Sequence, residues 1–218
     1  MSNRRRITGI LVLLLAVILC VSASAGTCIT AMATSVNPDN LACTAVNARI
    51  LRYNPGNNTL TLELIVPEVF SGEEVESLEV GDAIYSQGKE IPVNSIERDV
   101  FSVSINGGGY EYEEGTLWLV QDSTADRNYF PMDYNDYLWT SLAEIDVPVS
   151  DSLLFLDDID VNGSKRPLPA VYTAGEFLRI LKQETLDSGV GFDTNNVYVI
   201  FDGNGALASI ERYYVPWQ

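Results

Sequence analysis

Histidine is absent from all 218 residues. Without it, no Ser-His or Cys-His pair can activate a nucleophile and the usual zinc sites are excluded, because nothing else supplies a neutral base or ligand poised near pH 7. Cysteine is scarce: Cys20 lies in the N-terminal apolar run, which leaves Cys28 and Cys43 for the rest of the chain. Cationic residues are few, with 13 Lys and Arg against 30 Asp and Glu, a formal net charge of −17. Such a chain repels nucleic acid and anionic membranes. Long apolar runs are limited to one, "ITGILVLLLAVILCV", at the N-terminus.

That run follows Arg4, Arg5 and Arg6 and closes on Ala23-Ser24-Ala25. A basic stretch, an apolar stretch and A-x-A make residues 1–25 a secretory signal peptide, with cleavage expected after Ala25. The alternative is a retained anchor, since about 20 apolar residues can span a bilayer. An uncleaved leader is the one membrane contact the sequence offers, and polar Ser22, Ser24, Thr27 and Thr30 favour cleavage. Cleavage removes three of the 13 basic residues and no acidic ones, leaving 10 against 30 and a formal charge of −20. That excess reads first as a solubility device, and second as affinity for cations or cationic partners. An even pair of cysteines in an exported chain implies a Cys28–Cys43 disulfide, worth about 3 kcal/mol in chain-entropy terms. Two free thiols in an N-terminal segment are the alternative.

Residues 26–44, rich in Ala, Thr, Ser and Asn, read as a linker. Residues 45–122 read as a small β-barrel or sandwich, because short alternating runs recur every eight to twelve residues between Gly- and Asn-containing turns. Its first hairpin flanks "NPGNN" and buries Leu60, Leu62, Leu64 and Val66. "SGEEVESL" is a short helix with a Ser71/Glu74 capping box. "QGKE" is a turn, and "VFSVSIN" sets Phe101, Val103 and Ile105 on one face. Gly107–Gly109 lack the lysine and the strand-to-helix context of a phosphate loop, so they read as a turn.

Residues 123–218 read as an α+β unit, a helix packed on an antiparallel sheet, either separate from 45–122 or continuous with it. "AEIDVPVS" is an edge strand with Pro148 at a non-pairing position, and "KRPLPAVY" an extended connection. Thr173 and Glu176 form a capping box, and Ala174, Phe177, Leu178 and Leu181 fall on one helical face before a stop at Gly189. "NVYVIFD" and "ALASIERYYVP" make a terminal hairpin with Gly203 or Gly205 left-handed. The fold class expected is therefore α+β and β-rich.

No catalytic residue stands out. "LDSGV", Leu186 to Val190, matches the outline of an aspartic-protease motif, but Asp187 follows a helix directly and no second copy occurs. Carboxylate pairs can hydrolyse glycosides, yet with 30 acidic residues no pair is singled out. "DDIDVNG" sets Asp158, Asp160, Asn162 and Gly163 at positions 1, 3, 5 and 6 of a calcium loop, while position 12 is Pro169 instead of a bidentate Glu. It fails as an EF-hand, leaving either a looser calcium site at Asp158, Asp160 and Asn162 or an acidic turn. Between Arg127 and Lys165 there are eight acidic residues and no basic one. The aromatics of "YFPMDYNDYLW" are the other candidate surface. Tyr134, Tyr137 and Trp139, in an irregular stretch, suit a platform for sugars or peptides, or else plug a barrel end or an interface.

The passage "VYVIFDGNGALASIERYYVPWQ", together with the leader, resembles the ends of exported proteins of Gram-positive gut bacteria. The resemblance spans roughly the last fifty residues and carries no catalytic motif. It implies a bacterial, extracytoplasmic setting, in which the sequons at Asn57 and Asn162 stay unmodified. The expectation is an exported or cell-surface binding module without catalytic activity, for an extracellular ligand or protein. A calcium-stabilised module and a carboxylate hydrolase are the alternatives.

Overall fold

The computed structural model describes residues 26–123, 127–134, 136–160, 162–182 and 197–213. The leader, the "LDSGV" motif and the expected stop at Gly189 lie outside these. Along the chain run β1 (Cys28–Thr30), β2 (Ala45–Asn54), β3 (Thr59–Pro67), α1 (Gly72–Ser77), β4 (Ala83–Ser86), β5 (Lys89–Pro92), β6 (Ile96–Arg98), β7 (Ser102–Ile105) and β8 (Leu117–Gln121). Then come β9 (Tyr129–Asp133), β10 (Asp136–Tyr137), β11 (Trp139–Pro148), β12 (Leu154–Ile159), β13 (Lys165–Thr173), α2 (Ala174–Leu181), β14 (Val197–Phe201) and β15 (Leu207–Arg212). The fold is β-rich, as its alternating patterns imply, and among the described residues no sheet closes into the expected barrel.

Two compact units divide the chain, and neither is continuous in sequence. One takes Met1–Ala31 and Phe70–Tyr129, the other Met32–Val69 and Phe130–Gln218. The expected division near residue 122 gives way because the β2–β3 hairpin finds its neighbours far downstream. β3 pairs with β11 and β2 with β14, inside a seven-stranded sheet of order β11-β3-β2-β14-β15-β12-β13. Every pairing in that sheet is antiparallel except β12 with β15.

Period-2 alternation gives this sheet its core. Val46, Ala48 and Ile50 of β2, Leu60, Leu62 and Leu64 of β3, Val197, Val199 and Phe201 of β14, and Ile210 of β15 are buried in one cluster. Ala174, Phe177 and Ile180 of α2 close over it, and Phe177 packs on Phe155 with ring centroids 4.9 Å apart. The helix starts where the sequence places it: Thr173 Oγ1 accepts from Glu176 N–H, and the Glu176 carboxylate accepts from Thr173 N–H at 2.8 Å. Leu178 and Leu181, partly buried, complete the five-residue seam that holds the helix on the sheet.

Both outer strands are blunted against further pairing. β11 carries a bulge between Ser141 and Ala143 and ends on Pro148, confirming an edge position. "KRPLPAVY" is not a connection but the opposite edge strand, β13, whose Pro167 and Pro169 lack an N–H to offer a neighbour.

The other unit is smaller-stranded. β1 runs parallel to β4, which turns back into β5 through Gln87 and Gly88, both at positive φ. Part of the expected linker is thus β1, with Ile29 buried in this unit, while Val36 and Leu41 pack on the core of the other. β6, β7 and β8 form an antiparallel meander with Val103, Ile105, Leu117 and Leu119 buried. Phe101 departs from the expected face and is 68% exposed, because Val100 and Phe101 form the tip of the β6–β7 hairpin. The glycine triplet is a turn: a Cβ on Gly108 would lie 2.2 Å from the Leu117 carbonyl oxygen, so only glycine lets the two backbones approach. In α1 Ser71 takes the N-cap position but makes no capping hydrogen bond. The helix is held from its other end, where Arg98 donates to the carbonyls of Val75 and Leu78.

Candidate functional site

The acidic run that reads as half a calcium loop separates into three environments. Asp157 is buried on the core side of β12, and its two oxygens accept from Arg212 Nε and a second guanidinium nitrogen, both at 2.8 Å. Asp158 is half-buried in the strand, displaced from Asp157 by the alternation. Asp160 closes the β12–β13 turn: its Oδ1 accepts from the N–H groups of Asn162 at 2.8 Å and Ser164 at 2.9 Å. Those two backbone donors hold its carboxyl below the usual carboxylate range. Gly163 supplies the left-handed residue at φ 77°.

The terminal hairpin repeats this construction. Asp202 Oδ1 accepts from Asn204 N–H at 2.8 Å and Ala206 N–H at 3.0 Å, with Gly205 at φ 76°. Asp-x-Asn-Gly in both places is a way to turn a strand, with the aspartate oxygens facing their own backbone. No group of three acidic or cysteine residues among the described residues is arranged to hold a metal ion. Asp158 thus lies in the strand while Asp160 and Asn162 are joined within the turn by a backbone-to-carboxylate bond. Cys28 and Cys43 are both free, exposed thiols, and the expected disulfide is not formed. Each is fastened by a different neighbour, Cys28 in β1 against Ala83 and Cys43 through its N–H to the Asp202 carbonyl.

A carboxylate pair does occur on the solvated face of the large sheet, where Glu63 of β3 stands opposite Glu144 of β11. Arg49 bonds Glu63 at 3.0 Å, and Thr61 joins Arg52 at 2.9 Å to Asp146 at 2.6 Å. Burial pushes the Glu63 carboxyl up, but hydrogen bonds from Ser141 and Arg49 and the Arg49 charge bring it below the usual range. Glu63 is thus held as the anion and is unsuited to donate a proton at neutral pH.

The aromatic stretch is different. Leu138 is buried and tied by its N–H to the Pro131 carbonyl, so its neighbours Tyr137 and Trp139 project the other way. Phe130 joins them from β9, and sequence reasoning missed it. Its alternation with buried Tyr129 and Pro131 was the available signal. Tyr137 lies 5.1 Å from Phe130 with planes tilted by 47°, and 5.7 Å from Trp139 edge-on at 90°. Asp136 Oδ1 accepts from Tyr137 N–H at 2.8 Å and from Trp139 Nε1–H at 3.3 Å, which fixes the indole. Tyr137 remains 41% exposed and Tyr134 48% exposed.

Two local rules are broken beside these rings. Asp133 and Asp136 are directly opposite each other in the β9–β10 register, a placement that like charges do not favour. Tyr134 takes φ 53° at the tip, a region bulky side chains seldom occupy. Local costs of this kind gather where a surface serves something other than the fold. Tyr134, Tyr137 and Trp139 were expected as a platform. Tyr137 and Trp139 form one strip with Phe130, and Tyr134 stands at the hairpin tip.

No protein-family model, curated protein or solved structure matches the chain.

Proposed function

We propose that the chain is an exported, non-catalytic binding protein that takes its ligand on the Phe130–Tyr137–Trp139 strip. The observation that carries this reading is the strip itself: three rings in a row, with Tyr137 packed on both Phe130 and Trp139 and itself substantially exposed. Rings that served the core alone would be covered, whereas Tyr137 keeps 41% of its surface in solvent. Export is supported by the leader and by the excess of acidic residues. The absence of histidine and the engagement of Glu63 by Arg49 favour binding over turnover.

Glycan and peptide arrays probed with the chain from Gly26 onward test the reading. Ligands found on either array are expected to bind about tenfold more weakly to Tyr137→Ala and to Trp139→Ala, the loss typical of an aromatic anchor. Ligands whose binding survives both changes would place the surface elsewhere and overturn it.

A further inference from the structure

We infer that cleavage after Ala25 frees an α-ammonium group at Gly26 that docks on the Asp82 carboxylate and fastens the first strand of the processed chain; the inference rests on the export reading above and deepens it. The residues that follow the leader are built into the fold. Thr27 N–H donates to Asp82 Oδ1 at 2.7 Å, and Ala83 N–H donates to the Thr27 carbonyl at 2.8 Å. From there β1 runs parallel to β4, with Ile29 buried. Gly26 lies against the same loop: a Cβ there would collide with the Gly81 carbonyl oxygen and come within 3.0 Å of Asp82 Cα. Only glycine allows that approach, and glycine is the residue directly after Ala23-Ser24-Ala25. A protease takes its substrate as accessible chain, so the cut precedes the pairing of β1 with β4.

Hydrolysis breaks the bond between the Ala25 carbonyl carbon and Gly26 N; water supplies the hydroxyl of the new carboxyl group and a hydrogen of the new amine. In the uncut chain Gly26 N is a neutral amide, whereas the free amine is a cation at neutral pH. It is the backbone nitrogen next to Thr27 N, which Asp82 already holds. Asp82 Oδ2 accepts from Glu79 N–H at 2.8 Å, so one N–H reaches each oxygen and each keeps a second lone pair for the ammonium. None of the ion pairs among the described residues includes Asp82. Residues 70–129 carry 13 Asp and Glu against three Lys and Arg, so a cation created at Gly26 enters a field that favours it. β1 is a three-residue edge strand, and a charge fixed at its start decides how often it opens.

Two experiments test this. The full chain is secreted from a bacterial host and its N-terminus sequenced; Gly26 is expected, and any other start would overturn the inference together with cleavage after Ala25. The chain from Gly26 onward is then prepared in two forms, one with a free amine and one with that amine acetylated. Amide exchange at Ala83, read by nuclear magnetic resonance, reports how often β1 leaves β4, because Ala83 N–H donates to Thr27. Exchange is expected to be roughly two- to fivefold faster in the acetylated chain, and the gap should close in about 1 M salt. Asp82→Asn keeps an oxygen for Thr27 N–H and removes the charge; in that variant the two forms should exchange alike. Glu114→Gln, which removes a carboxylate paired with Lys89 in the same unit, should leave the gap as it is. Equal rates in the two native forms, or a gap that survives both salt and Asp82→Asn, would overturn the docked ammonium while cleavage, read by sequencing, stands. The ring strip is tested apart from this, by the arrays.

Discussion

Removing one member of the Asp157–Arg212 pair should cost far more than removing both. Asp157 and Arg212 are 5% and 3% exposed, and they meet in register across the parallel β12–β15 pairing through two bonds of 2.8 Å. Arg212→Met leaves a carboxylate in the core without its guanidinium, a loss of about 3–5 kcal/mol. For a unit of this size that corresponds to a fall of roughly 10–20 °C in Tm. Asp157→Leu, which strands the guanidinium instead, should cost a similar amount. The double variant buries two apolar chains in place of two charges and should return to within about 1 kcal/mol of the native protein. Urea unfolding of all four proteins, followed by far-ultraviolet circular dichroism, supplies the cycle, and a coupling of several kcal/mol is expected. Single losses below about 1 kcal/mol, or a double loss equal to the sum of the singles, would show that the pair is solvated and refute the reasoning.

Calcium at millimolar concentration should leave the thermal melt coincident with that in chelator, because the Asp160 carboxylate faces its own turn. A filled site at a hundred times its dissociation constant would add about 2.7 kcal/mol, so a rise of roughly 5 to 10 °C that vanished in Asp158→Asn/Asp160→Asn would reinstate the metal site. The carboxyls of Asp160 and Asp202 are both lowered by backbone N–H donors, so their contribution is present above the ordinary aspartate range and lost as pH falls through the lower, folded value. Stability measured from pH 5 downward should therefore fall less steeply in Asp160→Asn/Asp202→Asn, which keeps the turn oxygens and removes the titration; an unchanged slope would contradict this. Phe101→Ser should shift stability by no more than about 0.5 kcal/mol, since the ring is 68% exposed, whereas Phe155→Ala in the core should cost about 3–5 kcal/mol. Equal losses in the two variants would place Phe101 in the core after all.

What could be read from the sequence was local, and what could not was paired at a distance. The β2–β3 and β14–β15 hairpins, the "QGKE" turn and the Thr173–Glu176 helix start are each specified by residues within one or two turns of the chain, and each is present. Pairing of Leu60 with Val147, or of Val199 with Val46, leaves no mark in the intervening composition, so the interleaving of the two units was invisible. Phe101 fits the alternation of Val103 and Ile105, but the chain reverses at Val100–Phe101 and carries the ring out to solvent. The acidic run makes the same point most sharply. Asp157, Asp158 and Asp160 are alike in sequence, and a count of charge makes them one cluster awaiting a cation. The partner that separates them is Arg212, 55 residues later, which reaches Asp157 only because β15 lies alongside β12. Asp160, by contrast, is satisfied within four residues of itself. Acidic density therefore marks a ligand only where those carboxylates have found no partner in the fold. In this chain that criterion directs attention away from "DDIDVNG", where Asp157 is met by Arg212 and Asp160 by its own turn.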